Sequence, residues 1–208
     1  ASMLSYLLRD LPVPVVFTGS QMPIQEPLSD AMGNLRCAFA MATSGVPGVY
    51  VAFDRKIILG TRAVKVRTTA FDAFESVNAP YLAQVYADGL RPGPAALRPA
   101  APGRSPRLAD RLCTDVFLLK LIPGTNPDIF DKLTELNVRG VVLETFGVGG
   151  LHFVRRDLLP KLEQLTRRGV AVVACSQCLY ETSDFSLYEV GQRLLDCGVI
   201  PARDMTTE

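Results

Sequence analysis

Tryptophan is absent from this 208-residue chain, and histidine occurs once, as His152. A Ser-His-Asp site built from this chain alone would therefore have to pass through His152, whose apolar neighbours Leu151 and Phe153 suit a loop or helix entry better. With one histidine and no second cysteine pair, Cys175-x-x-Cys178 lacks the two further ligands a zinc site needs. No uninterrupted apolar run approaches the ~20 residues a membrane-spanning helix needs. Neither charge dominates: 22 Lys and Arg against 21 Asp and Glu leave a net charge of +1, so no bulk pull toward nucleic acid or an anionic membrane is expected. The first ten residues lack the basic start and cleavage pattern of a signal peptide. They read as a helix cut mid-way, with Met3, Leu4, Leu7 and Leu8 on one side.

The five cysteines are an odd number scattered through apolar segments, which suits a reducing compartment rather than a disulfide framework. Cys175-x-x-Cys178 has redox spacing, but no second pair completes a metal site; buried structural thiols are the simpler reading. No Walker sequence is present, and Gly147-x-Gly149-Gly150 has neither the spacing nor the position of a dinucleotide fingerprint.

Four strand-like apolar runs are present, and each breaks into a small, polar or glycine-rich turn. Residues 13–17 lead into Thr18-Gly19-Ser20-Gln21, and 116–122 into Pro123-Gly124-Thr125-Asn126. Residues 140–143 lead into Glu144 to Gly150, and 171–174 into Cys175-Ser176-Gln177-Cys178. Ligands of open α/β sheets sit beyond the carboxyl ends of the strands, so these turns are where function is sought. Glycine and small polar residues also serve any αβ connection, which is the plainer alternative for each turn alone.

The organisation follows from one interruption. Residues 91–111 hold five prolines and five arginines, which bars a helix or central strand and reads as a solvated linker. This divides the chain into residues 1–90, a linker at 91–112 and residues 113–208. In the first part, a strand at 13–17, a helix opened by Ser29-Asp30 and a strand at 48–53 form a βαβ unit with parallel pairing. An antiparallel partner follows at 57–59, then an irregular polar stretch at 60–78 and a short strand at 84–86. The last part alternates strands at 116–122, 140–144 and 171–175 with helices at 127–136, 157–168 and 186–197. That predicts a parallel sheet with helices on both faces.

Lys65 stands between Val64 and Val66 just past a strand. A lysine partly withdrawn from water moves protons more readily, and it can also orient a hydroxyl nucleophile. A snorkelling surface lysine is the alternative that composition favours.

Six segments in order extend the reading. Thr18-Gly19-Ser20-Gln21-Met22-Pro23, Ser29 to Leu35, and Lys65 followed by Phe71 to Ser76 resemble bacterial-type L-asparaginases. Glu144 to Gly149, Ser176-Gln177-Cys178, and Gly198 to Ile200 with Asp204 to Glu208 continue the resemblance. The last two segments are similar to the type I, cytoplasmic branch. The resemblance implies a flavodoxin-like α/β N-terminal domain, truncated here, and a smaller Rossmann-like α/β C-terminal domain, with mainly parallel sheets. It implies hydrolysis of L-asparagine to L-aspartate and ammonia by a threonine hydroxyl, with no metal or organic cofactor. Lys65 takes the place of the catalytic lysine, and Ser20 and Gln21 lie in the turn lining the substrate pocket. Asp30 and Asn34 take structural places in the turn and helix start. A homodimer or homotetramer in the cytoplasm is implied, with a small-molecule substrate and no nucleic-acid or membrane partner. An asparaginase-like subunit of a tRNA-dependent amidotransferase, or a non-catalytic amino-acid-binding module, shares these features. The Thr-Gly-Gly-Thr and Gly-Thr-Asp-Thr turns of the family do not occur in the sequence. These 208 residues alone are therefore expected to be a fragment that releases no ammonia from asparagine and is poorly stable.

Overall fold

The five apolar residues Val49 to Phe53 offer water no polar side, and the strand they form is buried on both faces. Around such strands the chain folds into two units, Ala1–Asp110 with Glu208 and Arg111–Thr207. The computed structural model describes residues 1–94 and 105–208. Residues 95–104 of the expected linker lie outside the described residues.

The first unit begins with helix α1 (Ser2–Leu7) and the short strand β1 (Leu8–Arg9), followed by β2 (Pro14–Phe17) and helix α2 (Ala31–Ala42). Then come β3 (Gly48–Phe53), β4 (Lys56–Leu59), β5 (Ala63–Lys65), β6 (Phe74–Ser76), β7 (Ala83–Tyr86), β8 (Gly89–Pro92) and β9 (Arg107–Leu108). The main sheet has the order β2-β3-β4-β7-β8. β2 and β3 run parallel, Val16 opposite Tyr50, and the helix between them is the crossover. The remaining pairs in this sheet are antiparallel. Pro14 and Pro92 sit in the two edge strands, where a missing N–H breaks no central ladder. Asp54 and Arg55, both with positive φ, make the tight β3–β4 turn.

Side-chain alternation along β3 builds two cores. Tyr50 and Ala52 pack with Cys37, Ala38 and Met41 of α2. Val51 and Phe53 point the other way, toward Ile58 and Ala73, with Ala63 and Phe74 packed against them. The stretch 60–78 is thus less irregular than its polarity suggested: β5 and β6 pair antiparallel, Lys65 opposite Phe74. Three-residue strands carry too little alternation to be recognised, yet buried Val64 and Ala73 anchor them.

The second unit contains β10 (Val116–Lys120), α3 (Asp128–Glu135), β11 (Gly140–Thr145) and α4 (Leu159–Arg167). It ends with β12 (Ala171–Ser176), α5 (Glu189–Asp196) and β13 (Ile200–Pro201). All four strands are parallel in the order β10-β11-β12-β13. The core joins Val141, Leu143, Val172 and Ala174 of the sheet to Phe130, Leu133, Leu162, Leu165 and Leu194 of the helices. The opposite sheet face is not closed as expected: Leu118 is 52% exposed, and its neighbours Val142 and Val173 are only partly buried.

Helix α5 approaches the chain closely at Gly191. A Cβ there would stand 2.2 Å from the Phe185 carbonyl oxygen, and backbone cannot step aside cheaply. Gly191→Ala is expected to destabilise this unit by about 2–3 kcal/mol, read as a lower urea midpoint in denaturation of the full-length product.

Candidate active site

The turn after β2 is held by a carboxylate rather than by its own backbone. Asp30 accepts from the Gln21 N–H at 3.0 and 3.1 Å and from the Met22 N–H at 3.1 Å. Its side chain does not cap α2; the Ser29 hydroxyl takes that place by accepting from the Ala31 N–H at 3.1 Å. Asn34, one helical turn on and 3% exposed, donates to Asp30 Oδ2 at 2.8 Å and to the Gly19 carbonyl at 2.9 Å. Its Oδ1 accepts from the Asp54 N–H at 2.9 Å, tying the turn to the end of β3. Asp30 and Asn34 thus fix the turn as their positions suggested, whereas the helix start expected of Asp30 falls to Ser29.

Partial desolvation pulls the Asp30 carboxyl upward. The donors from Gln21, Met22, its own N–H and Asn34 together outweigh that and hold it below the ordinary 3.8. A depressed carboxyl stabilises the fold above its unfolded value and stops doing so as pH falls through the folded one. The Gln21 and Met22 amides should therefore lose hydrogen-exchange protection below about pH 4, the unfolded aspartate range. Asp30→Asn should flatten that pH dependence, measured by amide exchange across the acid range.

Thr18, Gly19, Ser20 and Gln21 form one side of a cavity of about 560 Å³. Val51, Phe53, Ala63 and Phe74 give it an apolar wall, and Lys65 closes in from β5. This volume suits a small molecule rather than a polymer. Lys65 Nζ donates to Gln21 Oε1 at 3.0 Å and lies 5.9 Å from the centre of the Phe74 ring. The lysine and the Thr18 turn, with Gln21 and Lys65 44 positions apart, therefore converge on one space. The Thr18 hydroxyl is occupied, donating to the Ala52 carbonyl at 2.9 Å. The Ser20 hydroxyl makes no hydrogen bond to another protein group among the described residues. Phe74, which walls the cavity, has no mark of its own in the sequence; its register opposite Lys65 is the signal that finds it.

The other sequence candidates lie in the second unit. His152 Nε2 accepts from the Gly124 N–H at 3.2 Å, and its ring meets Phe146 edge-on. It faces no serine or cysteine nucleophile in those contacts. Cys175 is buried and Cys178 exposed, and neither stands in a disulfide among the described residues. Among the described residues, no group of three or more His, Cys, Asp or Glu side chains stands together as a metal site.

Comparison with known proteins fits this geometry. Residues 1–93 match the family model "Asparaginase, N-terminal", and residues 115–208 match "Glutaminase/Asparaginase C-terminal domain". The chain belongs to the asparaginase family. The Thermococcus kodakarensis L-asparaginase is 42% identical to it over all 208 residues, and its solved structure superposes with a TM-score of 0.92. L-asparaginase I from Vibrio cholerae matches with a TM-score of 0.88 at 28% identity, over 99% of this chain and 61% of that one. A Glutamyl-tRNA(Gln) amidotransferase polypeptide of Pyrococcus horikoshii is 35% identical over the whole of this chain. This asparaginase-family chain spans 62% of the curated Thermococcus enzyme's length and 48% of the Pyrococcus polypeptide's.

Proposed function

We propose that the full-length gene product is an L-asparaginase, an amidohydrolase converting L-asparagine to L-aspartate and ammonia. The observation that carries this is the shared cavity of Lys65 and the Ser20 turn. Hydrolysis of an unactivated amide needs a nucleophile, a proton carrier for it and for the leaving nitrogen, and donors for the developing oxyanion. Lys65 is the proton carrier at the cavity. The Ser20 hydroxyl and the turn's backbone are placed to hold the amino acid, with Gln21 in the same turn. The nucleophile is a threonine hydroxyl of the full-length product other than Thr18, whose hydroxyl is held by β3. No metal or cofactor enters the scheme. The test is ammonia release: turnover of L-asparagine by the full-length product is expected, and its absence would refute the reading.

A second reading rests on the match to the amidotransferase polypeptide. It requires a partner protein for activity, whereas an asparaginase hydrolyses asparagine alone. Turnover by the isolated product decides between them.

Cytoplasmic residence and self-association into a homodimer or homotetramer complete the proposal. Five cysteines, none in a disulfide among the described residues, support a reducing compartment. No helix among the described residues is long and apolar enough to cross a membrane. Sedimentation of the full-length product is expected to give two or four copies.

A further inference from the structure

We propose that Gln21 is a positioning residue for Lys65, holding its ammonium at the cavity rather than gripping substrate with its own amide. This rests on the asparaginase reading for its chemical meaning, though the geometry stands apart from it. A glutamine amide has two donor hydrogens and one acceptor oxygen. Both donors are occupied: Nε2 bonds to the Thr68 carbonyl at 2.9 Å and to the Ala70 carbonyl at 3.0 Å. The oxygen receives Lys65 Nζ at 3.0 Å. A substrate carboxylate or carbonyl would have to break one of these bonds to be recognised by the amide.

The amide is itself fixed from behind. The Gln21 backbone N–H is held by Asp30, and Asp30 by buried Asn34. A continuous chain therefore runs from the start of α2 through Asp30 and Gln21 to Lys65. It also clamps the β5–β6 connection, through Thr68 and Ala70, against the same turn. Lys65 needs such a restraint because its side chain is exposed on four rotatable bonds. Misplacing a reacting group by about 1 Å can cost on the order of 100-fold in rate. Ser20, its neighbour in the chain, also lines the cavity, so contact and positioning divide between adjacent residues.

Two substitutions test this. Gln21→Met keeps the volume and removes all three bonds; Gln21→Glu keeps an acceptor for Lys65 and loses the carbonyl clamp. In the full-length product, Gln21→Met should lower kcat about 10–100-fold with KM little changed, the usual range for a supporting residue behind a reactive one. Gln21→Glu should recover most of the loss, provided both variants melt with the parent. A raised KM at preserved kcat would overturn the proposal and make the amide a substrate contact. A second measurement needs no activity: acetic anhydride labelling of the full-length product, mapped by mass spectrometry, with Lys132 as internal reference. Lys65 should be acetylated several-fold faster in Gln21→Met than in the parent or Gln21→Glu. Equal rates in all three would overturn the positioning role. Should the parent release no ammonia from asparagine, the asparaginase reading falls while the labelling still decides what Gln21 does.

Discussion

Lys65→Met in the full-length gene product is expected to reduce asparagine hydrolysis by about 10²–10⁴-fold, the contribution of a positioned proton-transfer group. The fold should survive. Lys65 is exposed, and among the described residues the one hydrogen bond of its side chain goes to Gln21. Methionine keeps an apolar stem beside Phe74, so β5 and β6 retain their packing. The loss should fall on kcat rather than KM, because the ammonium acts on the reacting atoms and not on the amino acid as a whole. Ammonia release at saturating asparagine measures it. A variant within threefold of the parent would remove Lys65 from the chemistry.

Asn34→Leu should be the most damaging change in the first unit away from the cavity. It leaves the Asp54 N–H and the Gly19 carbonyl without their partner and takes a donor from Asp30. Each buried polar group stripped of its partner costs about 1–3 kcal/mol, so a total near 3–5 kcal/mol is expected. The apolar replacement cannot repair this, since leucine offers neither a donor nor an acceptor to these groups. Urea denaturation of the full-length product measures the loss. Asn34→Asp makes a sharper control: it keeps the acceptor for Asp54 but sets a second carboxylate against Asp30. Its stability should therefore fall as pH rises from 4 toward 7, opposite to the trend set by Asp30 in the parent.

The elements that set the fold are readable because they are long or strongly patterned. Val49 to Phe53 and Val141 to Leu143 are apolar throughout, which marks central strands, and α5 shows buried Leu194 at helical spacing from Val190. The strands β8 and β13 leave no such mark. The first runs into the proline-rich stretch, and the second has two residues. The hairpin that delivers Lys65 to the cavity escapes for the same reason: three residues a side give no period to read. Lys65 stands out as a candidate from the residues around it, and Ser20 through the resemblance of its segment. Their neighbours cannot show the bond from Lys65 to Gln21, since nothing local reports a contact across 44 residues. Likewise the acid at Asp30 reads as a helix cap, and only the path of the turn shows that it faces backward to Gln21 and Met22.

A crystal of the full-length product soaked with L-aspartate puts the shared cavity to the most direct trial. The reaction product should lie between the Ser20 hydroxyl and the Lys65 ammonium, against the wall of Val51, Phe53 and Phe74. Aspartate bound elsewhere with this cavity empty, or Lys65 turned away into solvent beside a bound ligand, would contradict the assignment of the site.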